Sequence, residues 1–391
     1  MQLAVLLCGL VSSTAPASAR RGSHVAVDKF CTAAQIGGLR WDGITHLSQA
    51  MAPLIVDGAG AVAPADAAAW AQWSAALVGA AHGNGSKIVL PLHIISKPVA
   101  ATLFASPVNA SLLATAAGAA AALAVGAGYD GVQLDIEGLQ QPSAAGFEAF
   151  LVAMRRALVT AAAAAAVRAL SLSSTLYMPK LVQSDFGTYN LTRMTMAGGL
   201  CDFVFLMGYD MGWAAAAPGS GAREAVPNAP LDGLALGLAH AAAVGAPPGA
   251  MVLGLPMYGK VFTCDGAAPA AQGNCSTAEK NMKNKKVDDL IAAASAAAPG
   301  ACTAGVDGAT ASAVLDCAQG IAVPGEGPAA GARQQAWYET RATIAAKVGL
   351  ADTQNLGGIG FWTACGVDPA TTAEGRGTWD DVAAYVAGGA R

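Results

Sequence analysis

The stretch GYDGVQLDIEG, residues 128–138, gives the first indication of the fold. Aliphatic residues alternate in it with glycine, an amide and two acids, and a period of two is typical of a β-strand rather than a helix. One face of this strand would be aliphatic, and the other would carry Gly131, Gln133, Asp135 and Glu137. Two carboxylates on one face stand out in a chain with only 12% charged residues, so this face is the first candidate for a functional site.

Short apolar segments with strand character recur along the chain, and alanine-rich stretches separate them. The expected strands are His24–Asp28, Ile44–Leu47, Lys87–His93, Gly131–Glu137, Leu170–Leu176, Asp202–Tyr209, Met251–Tyr258 and Gly358–Trp362. The expected helices include Asp66–Ala81, Ser111–Val125, Phe147–Val167, Leu231–Val244 and a C-terminal helix with Thr378 as its N-cap and Asp380 and Asp381 in its first turn. Eight strands that alternate with helices predict an α/β fold, a closed (β/α)8 TIM barrel of parallel strands. The gap between the seventh and eighth strands is too long for one helix, so residues of about 260–336 are predicted to form an inserted subdomain.

The first 19 residues have the pattern of a secretory signal peptide, with a short apolar core and an Ala17-Ser18-Ala19 cleavage site. The alternative is a buried N-terminal strand or helix. Cleavage would leave residues 20–391 as the barrel with its insertion. Four N-x-S/T sequons also favour the secretory pathway, with a lysosome, a vacuole or the extracellular medium as destination.

The cysteines agree with an oxidising compartment. Four of them cluster in the predicted insertion and are expected to form local disulfides, with three connectivities open: Cys264, Cys275, Cys302 and Cys317. Cys31, Cys201 and Cys365 stand apart. Cleavage of the signal peptide would remove Cys8 and leave an odd number of cysteines, seven. An odd number implies at least one free thiol or an intermolecular disulfide.

Several classes of function are not indicated. A formal charge of −4 offers no basic surface for nucleic acid, and the run KNMKNKKVDD (280–289) is interpreted as a solvated face, with an anion site as the alternative. The uncharged run Val99–Tyr129 is long enough to span a membrane, but it is rich in alanine and contains Pro107 and Asn109, so it is predicted to be a helix packed inside a soluble fold. The five scattered histidines indicate neither a metal site nor a catalytic triad, and no cofactor motif is present. A monomer is expected.

The two acids of the candidate strand carry a chemical implication. Side chains at the C-terminal ends of barrel strands face the active-site mouth, and Asp135 and Glu137 would be about 6.6–7 Å apart at Cα, with Gln133 one step deeper. Burying carboxylates costs several kcal/mol unless they are paired or protonated. Acids in contact drive their pKa values apart, which suits one of them to general acid catalysis. The alternative is an exposed edge strand with a polar face.

DGVQLDIE (130–137) resembles the D-G-x-D-x-D-x-E signature of glycoside hydrolase family 18, with Gln133 at the middle aspartate. Four further segments resemble later elements of the family, in the same order: FLMGYDM (205–211), PNAPL (227–231), GLPMYGK (254–260) and GGIGFW (357–362). The likeness runs from about residue 24 to 367. Within the family the pattern is most similar to the exo-acting di-N-acetylchitobiases, which have an asparagine at the position of Gln133 and a similar cysteine-bearing stretch at VFTC (261–264).

The resemblance implies a retaining glycosidase in which the substrate's own 2-acetamido group is the nucleophile. It assigns proton donation to Glu137, orientation of the acetamido N–H to Asp135 and a hydrogen bond near the acetamido carbonyl to Tyr209. Further substrate contacts are expected from Gln133, Met207, Asp210, Tyr258 and Trp362, the last as an apolar floor under the sugar. Met207 is interpreted equally well as core packing. Asp130 and Gly131 are expected to be structural.

The expected substrate is a GlcNAc-containing oligosaccharide of the chitobiose type, from the core of N-glycans or from chitin fragments. An endo-chitinase that acts on polymeric chitin is one alternative, and a non-catalytic chitin-binding lectin on the same fold is another. At the one departure from the signature, the Gln133 amide is expected to donate a hydrogen bond to Asp135 and so to favour its ionised form.

Overall fold

A computed structural model describes residues 21–28, 31–94, 96–105, 107–137, 144–179, 189–211, 222–264, 275–278, 282–297, 300–322 and 332–388, and the predicted signal peptide lies outside them. The strands of these residues are β1 Gly22–Val27, β2 His46–Gln49, β3 Leu54–Val56, β4 Val62–Pro64, β5 Lys87–Ile94, β6 Gly131–Ile136, β7 Ser171–Tyr177, β8 Phe203–Met207, β9 Ala222–Glu224, β10 Met251–Pro256, β11 Tyr258–Thr263, β12 Ser276–Ala278, β13 Met282–Lys286, β14 Cys302–Asp307, β15 Ser312–Cys317, β16 Gln334–Tyr338 and β17 Gly358–Trp362. The α-helices are Ala33–Gly37, Ala67–Gly83, Lys97–Leu103, Ala110–Gly126, Ala144–Ala165, Leu191–Thr195, Leu231–Ala243, Val287–Ala296, Arg341–Thr353 and Ala373–Gly388.

Eight parallel strands close into a barrel in chain order: β1, β2, β5, β6, β7, β8, β10 and β17, which pairs back with β1. All eight strands predicted from the sequence are present, and the predicted (β/α)8 barrel is confirmed. The short strands β3 and β4 extend the sheet beside β5. A closed barrel brings the C-terminal ends of its strands to one mouth, which is where the candidate residues were expected.

The strand with the two acids is held at its start by Asp130. One oxygen of Asp130, Oδ2, accepts a hydrogen bond from the Ile88 backbone N–H at 2.8 Å and lies 2.9 Å from Nε2 of His82. Next to it, a Cβ on Gly131 would lie only 2.1 Å from Oγ of Ser171, so the close approach of β7 requires glycine. Both residues therefore have contacts that fit the structural roles expected for them.

The alanine-rich run after residue 99 was predicted to be one packed helix, but it forms two, Lys97–Leu103 and Ala110–Gly126, and the second packs one face into the fold. Helix Ala110–Gly126 turns Leu113 and a row of five alanines inward, where their small size allows close packing against helix Ala144–Ala165. None of the described helices combines the length and the apolarity needed to cross a bilayer.

The C-terminal helix begins at Ala373, so the prediction of Thr378 as its N-cap is wrong. Thr372 takes that place, because its Oγ1 accepts a hydrogen bond from the Gly375 N–H at 2.8 Å. Thr378 is buried within the helix. Asp380 and Asp381 are not in the first turn but form ion pairs with arginines, Arg40 and Arg341 respectively.

The insertion between the seventh and eighth barrel strands is a five-stranded antiparallel sheet of order β13-β11-β16-β15-β14 with helix Val287–Ala296. Its disulfides Cys264–Cys275 and Cys302–Cys317 confirm the expectation of local pairing. A third disulfide, Cys31–Cys365, joins the regions that follow the first and the last barrel strand. Among the described residues Cys201 is a free and buried cysteine, in agreement with the odd number of cysteines. Three disulfides fit an oxidising compartment.

Candidate active site

A cavity of about 520 Å³ opens at the C-terminal mouth of the barrel. Seven of the eight candidate residues line it: Asp135, Glu137, Met207, Tyr209, Asp210, Tyr258 and Trp362. They come from the ends of β6, β8 and β17 and from the start of β11. The eighth candidate, Gln133, lies one layer deeper and lines a small cavity of about 30 Å³ beneath the first.

Asp135 is buried, and each of its two carboxylate oxygens has a partner on a neighbouring strand. Thr175 on β7 donates to Oδ1 at 2.7 Å, and Nε2 of His93 on β5 lies 3.1 Å from Oδ2. Strand register explains both contacts, because His93 is the direct β-partner of Asp135 and β7 runs parallel on the other side. The expected hydrogen bond from Gln133 to Asp135 is not formed between these two described residues. Oε1 of Gln133 instead accepts from Oγ of Ser48 at 2.8 Å.

Glu137 follows directly after β6 and lines the cavity, and the residue is exposed although its carboxyl has many protein atoms around it. The surrounding protein raises its pKa from 4.5 to about 7, through loss of hydration first and then through the negative charges of Asp135 and Asp210. A carboxyl with this pKa holds its proton on a large fraction of molecules near neutral pH. It can therefore donate a proton where an ordinary glutamate would be ionised.

Asp210 is fixed by its backbone as well as by its side chain. Its φ of 58° lies in the left-handed region. Two hydrogen bonds hold this conformation: the Asp210 N–H donates to Oδ1 of Asn228 at 2.9 Å, and the Tyr177 hydroxyl donates to the Asp210 carbonyl oxygen at 2.9 Å. Its Oδ1 accepts from the Tyr258 hydroxyl at 2.6 Å and lies 2.6 Å from Nζ of the buried Lys260. The carboxylate is thus partly neutralised while it still faces the cavity.

Tyr209 is buried, and its pKa is well above the usual value because burial and the nearby carboxylates disfavour the phenolate. It therefore remains a neutral hydroxyl that can donate a hydrogen bond. Met207 and Trp362 belong to the same apolar cluster as Tyr209, and both also line the cavity. Met207 is therefore packed in this cluster, as one interpretation expected, and its contact with substrate stays a prediction.

Sequence reasoning missed four residues that position the site: His93, Thr175, Asn228 and Lys260. Lys260 and Asn228 stand inside motifs that were noticed, whereas His93 and Thr175 could have been found by aligning the ends of the predicted strands. The lysine-rich run was interpreted as a solvated face, yet Asn284, Lys285 and Lys286 of β13 line the cavity wall. Among the described residues, no three His, Cys, Asp or Glu side chains converge to hold a metal ion.

A family model described as "Glycosyl hydrolases family 18" matches residues 104–366. This match covers β6 with its two acids and continues through the insertion to the end of β17. No curated protein sequence matches the chain.

Solved structures agree with the fold. A GH18 chitinase from Cycas revoluta, in complex with (GlcNAc)3, is 17% identical over 93% of this chain and 99% of the other, with a TM-score of 0.71. A chitinase from Chromobacterium violaceum is 17% identical over 94% and 98%, with a TM-score of 0.67. The chitinase-like agglutinin RobpsCRA from Robinia pseudoacacia is 17% identical over 92% and 98%, with a TM-score of 0.70. At such low identity these likenesses concern the fold alone.

Proposed function

The chain belongs to glycosyl hydrolase family 18, and from this premise we propose that it hydrolyses β-1,4 linkages between GlcNAc units with retention of configuration. The observation that carries the proposal is that Glu137, Asp135 and Tyr209 line one cavity, and the raised pKa of Glu137 there supports it. The proposed substrates are chitobiose-type oligosaccharides from N-glycan cores or chitin fragments. The proposed compartment is a lysosome, a vacuole or the extracellular medium.

In the first step Glu137 donates its proton to the glycosidic oxygen as the bond to C1 breaks. The carbonyl oxygen of the substrate's 2-acetamido group attacks C1 and forms an oxazolinium ion. Attack from within the substrate replaces a rare encounter with a positioned one, which is worth up to about 7–11 kcal/mol in favourable cases. In the second step Glu137, now ionised, takes a proton from a water molecule as the water oxygen attacks C1, and the bond between C1 and the acetamido oxygen breaks.

The other cavity residues stabilise and orient the sugar. Asp135 accepts a hydrogen bond from the acetamido N–H and offsets the positive charge that develops on the ring. Tyr209 donates toward the acetamido carbonyl oxygen, and Asp210 and Tyr258 bind sugar hydroxyls. Trp362 and Met207 supply apolar surface under the pyranose. Gln133 supports this layer from below rather than by direct contact with the substrate.

A second candidate is a lectin that binds GlcNAc oligosaccharides without cleaving them, because the fold is also that of a chitinase-like agglutinin. The acid at position 137 with its raised pKa favours hydrolysis, since binding alone has no use for a proton donor. An endo-chitinase would use the same residues to cleave polymeric chitin. The few aromatic residues, 6% of the chain, favour short soluble substrates.

The decisive experiment compares the wild type with Glu137→Gln on a series of chito-oligosaccharides, N-glycan-derived chitobiose and polymeric chitin, with the product ends identified. We expect kcat to fall by about 10²–10⁴-fold in the variant, which is the usual contribution of a general acid. Glu148→Gln, the same change on the outer helix Ala144–Ala165, should leave kcat unchanged. Full activity of Glu137→Gln would remove the acid assignment, and tight binding by an inactive wild type would identify a lectin.

A further inference from the structure

A histidine–carboxylate contact lies at the centre of the candidate site, between His93 and Asp135. Nε2 of His93 is 3.1 Å from Oδ2 of Asp135, and both side chains are largely buried, with 16% and 12% exposure. We infer that His93 is a positioning residue, which holds the Asp135 carboxylate in the orientation that receives the acetamido group. This inference rests on the proposed function, because it concerns the residue proposed to bind that group.

The other described neighbours of Asp135 interact with other atoms, which leaves His93 as the partner of Oδ2. Thr175 occupies Oδ1, and the Gln133 amide oxygen is engaged one layer deeper by Ser48. Oδ2 would be without a donor among the described residues if His93 were replaced by a side chain without an N–H. A buried carboxylate with one unpaired oxygen gains by rotating toward solvent or by taking up a proton. Either change would remove the fixed acceptor that the acetamido N–H requires.

The position of His93 in the fold agrees with a role at the reaction centre. It stands at the C-terminal end of β5 in direct register with Asp135, and its ring lines both the main cavity and the small cavity below it. At 3.1 Å, a proton on Nε2 would let the imidazole donate to Oδ2 and the carboxylate accept.

A matched control lies just before β6, where Asp130 contacts a histidine of helix Ala67–Gly83. At the opposite end of the barrel, Nε2 of His82 lies 2.9 Å from Oδ2 of Asp130. That pair also places an imidazole against a carboxylate, but it is remote from the cavity and Asp130 also accepts from the Ile88 N–H. A histidine that only supports the barrel should therefore behave like His82, and a positioning residue should not.

The first measurement does not depend on activity. In ¹⁵N-histidine NMR spectra of the full-length protein, we expect one Nε2–H resonance with a hydrogen-bonded shift that moves in Asp135→Asn and stays in place in Asp130→Asn. A spectrum in which no histidine resonance responds to Asp135→Asn would overturn the contact on which the inference rests.

The second measurement is a comparison of kcat, KM and Tm. Removing a hydrogen bond to a charged group should lower kcat by about 10–100-fold in His93→Phe, with KM changed less than about threefold. His93→Gln retains an N–H at similar reach and should restore kcat to within about fivefold of the wild type, whereas His82→Phe should leave kcat unchanged. In an Asp135→Asn background, His93→Phe should cause no further loss, because the group that it positions is already altered.

These outcomes separate the two proposals. A wild type that cleaves no substrate would remove the proposed function, while the NMR result would still decide whether the pair exists. An active wild type with unchanged kcat in His93→Phe, or with losses that multiply in the double variant, would overturn the role of His93. If His93→Phe does not fold, a His93→Gln variant with strongly reduced kcat and an unchanged Tm would contradict the inference in the same way.

Discussion

Two carboxylate–lysine pairs of this protein have the same chemistry and opposite surroundings. Glu339 and Lys347 are both fully buried at the junction of the inserted sheet and helix Arg341–Thr353. Asp210 and Lys260 form the second pair at the cavity, where Lys260 is 4% exposed and Asp210 is 34% exposed. We call Glu339–Lys347 the sealed pair and Asp210–Lys260 the cavity pair. The two pairs differ in the groups that complete their hydrogen bonding.

In the sealed pair every partner is protein. Glu339 accepts from Thr343 at 2.6 Å and from Ser312 at 3.3 Å, and Lys347 also donates to the Ala311 carbonyl at 2.7 Å. Burial raises the pKa of Glu339 and lowers that of Lys347, so each charge depends on the other. In the cavity pair Asp210 has two side-chain donors and still faces open space. A closed network serves stability, whereas an incomplete one is ready to bind a ligand.

The largest effect on stability is expected from breaking the sealed pair. Lys347→Met would leave the Glu339 carboxylate buried without a counter-charge, and the free energy of unfolding should fall by about 3–5 kcal/mol. Urea unfolding of the purified variant measures this loss. The kcat of molecules that remain folded should not change, because the pair lies outside the cavity.

A double variant sharpens this test. Glu339→Gln combined with Lys347→Met removes both charges and should recover much of the stability lost in the single variant. A single variant that costs less than about 1 kcal/mol would mean that water reaches Glu339, and the contrast between the two pairs would disappear.

A smaller effect on stability, and a larger one on activity, is expected at the cavity pair. Lys260→Met should lower the free energy of unfolding by only about 1–2 kcal/mol, since Asp210 keeps its bond from Tyr258 and can be hydrated from the cavity. It should lower kcat/KM by about tenfold, because Asp210 loses the neighbour that fixes it. Lys260→Arg, which keeps the charge, is the control. Equal destabilisation by Lys260→Met and Lys347→Met would contradict the distinction.

The barrel itself was predictable from the sequence, because its signal is local. Eight apolar segments, each bounded by helix-forming stretches, matched eight strands, and β6 was identified from its period of two. The C-terminal helix was misplaced for a local reason as well. Gly375 and Gly377 disguise the start of the helix, although Gly375 is required there, since a Cβ would lie 2.1 Å from the Asp368 carbonyl oxygen.

The contacts that tune the site could not be predicted in the same way, because they depend on the register between strands. His93 looked like one of several scattered histidines until β5 was aligned with β6. Lys260 lay in a recognised motif, but its burial beside Asp210 follows from the way β11 leaves the barrel. The lysines of β13 reach the cavity only because the inserted sheet folds back over the mouth, with Lys286 paired to Tyr258.

The smallest effect on stability is expected from Glu137, whose charge, like that of Asp210, can be hydrated from the cavity. Its pKa is raised to about 7 in the folded protein, so between pH 4.5 and 7 the folded state binds a proton that the unfolded state releases, and stability falls as pH rises through this window. Glu137→Gln should therefore be more stable than the wild type above pH 7, by about 1 kcal/mol or less because of its exposure, and equally stable below pH 4.5. The same titration should give the wild type a decline of kcat/KM above pH 7, since the ionised acid cannot donate. Thermal unfolding across this pH range measures the first effect, with Glu148→Gln as the control, and a variant advantage that is the same at pH 4 and pH 9 would show that the carboxyl titrates normally.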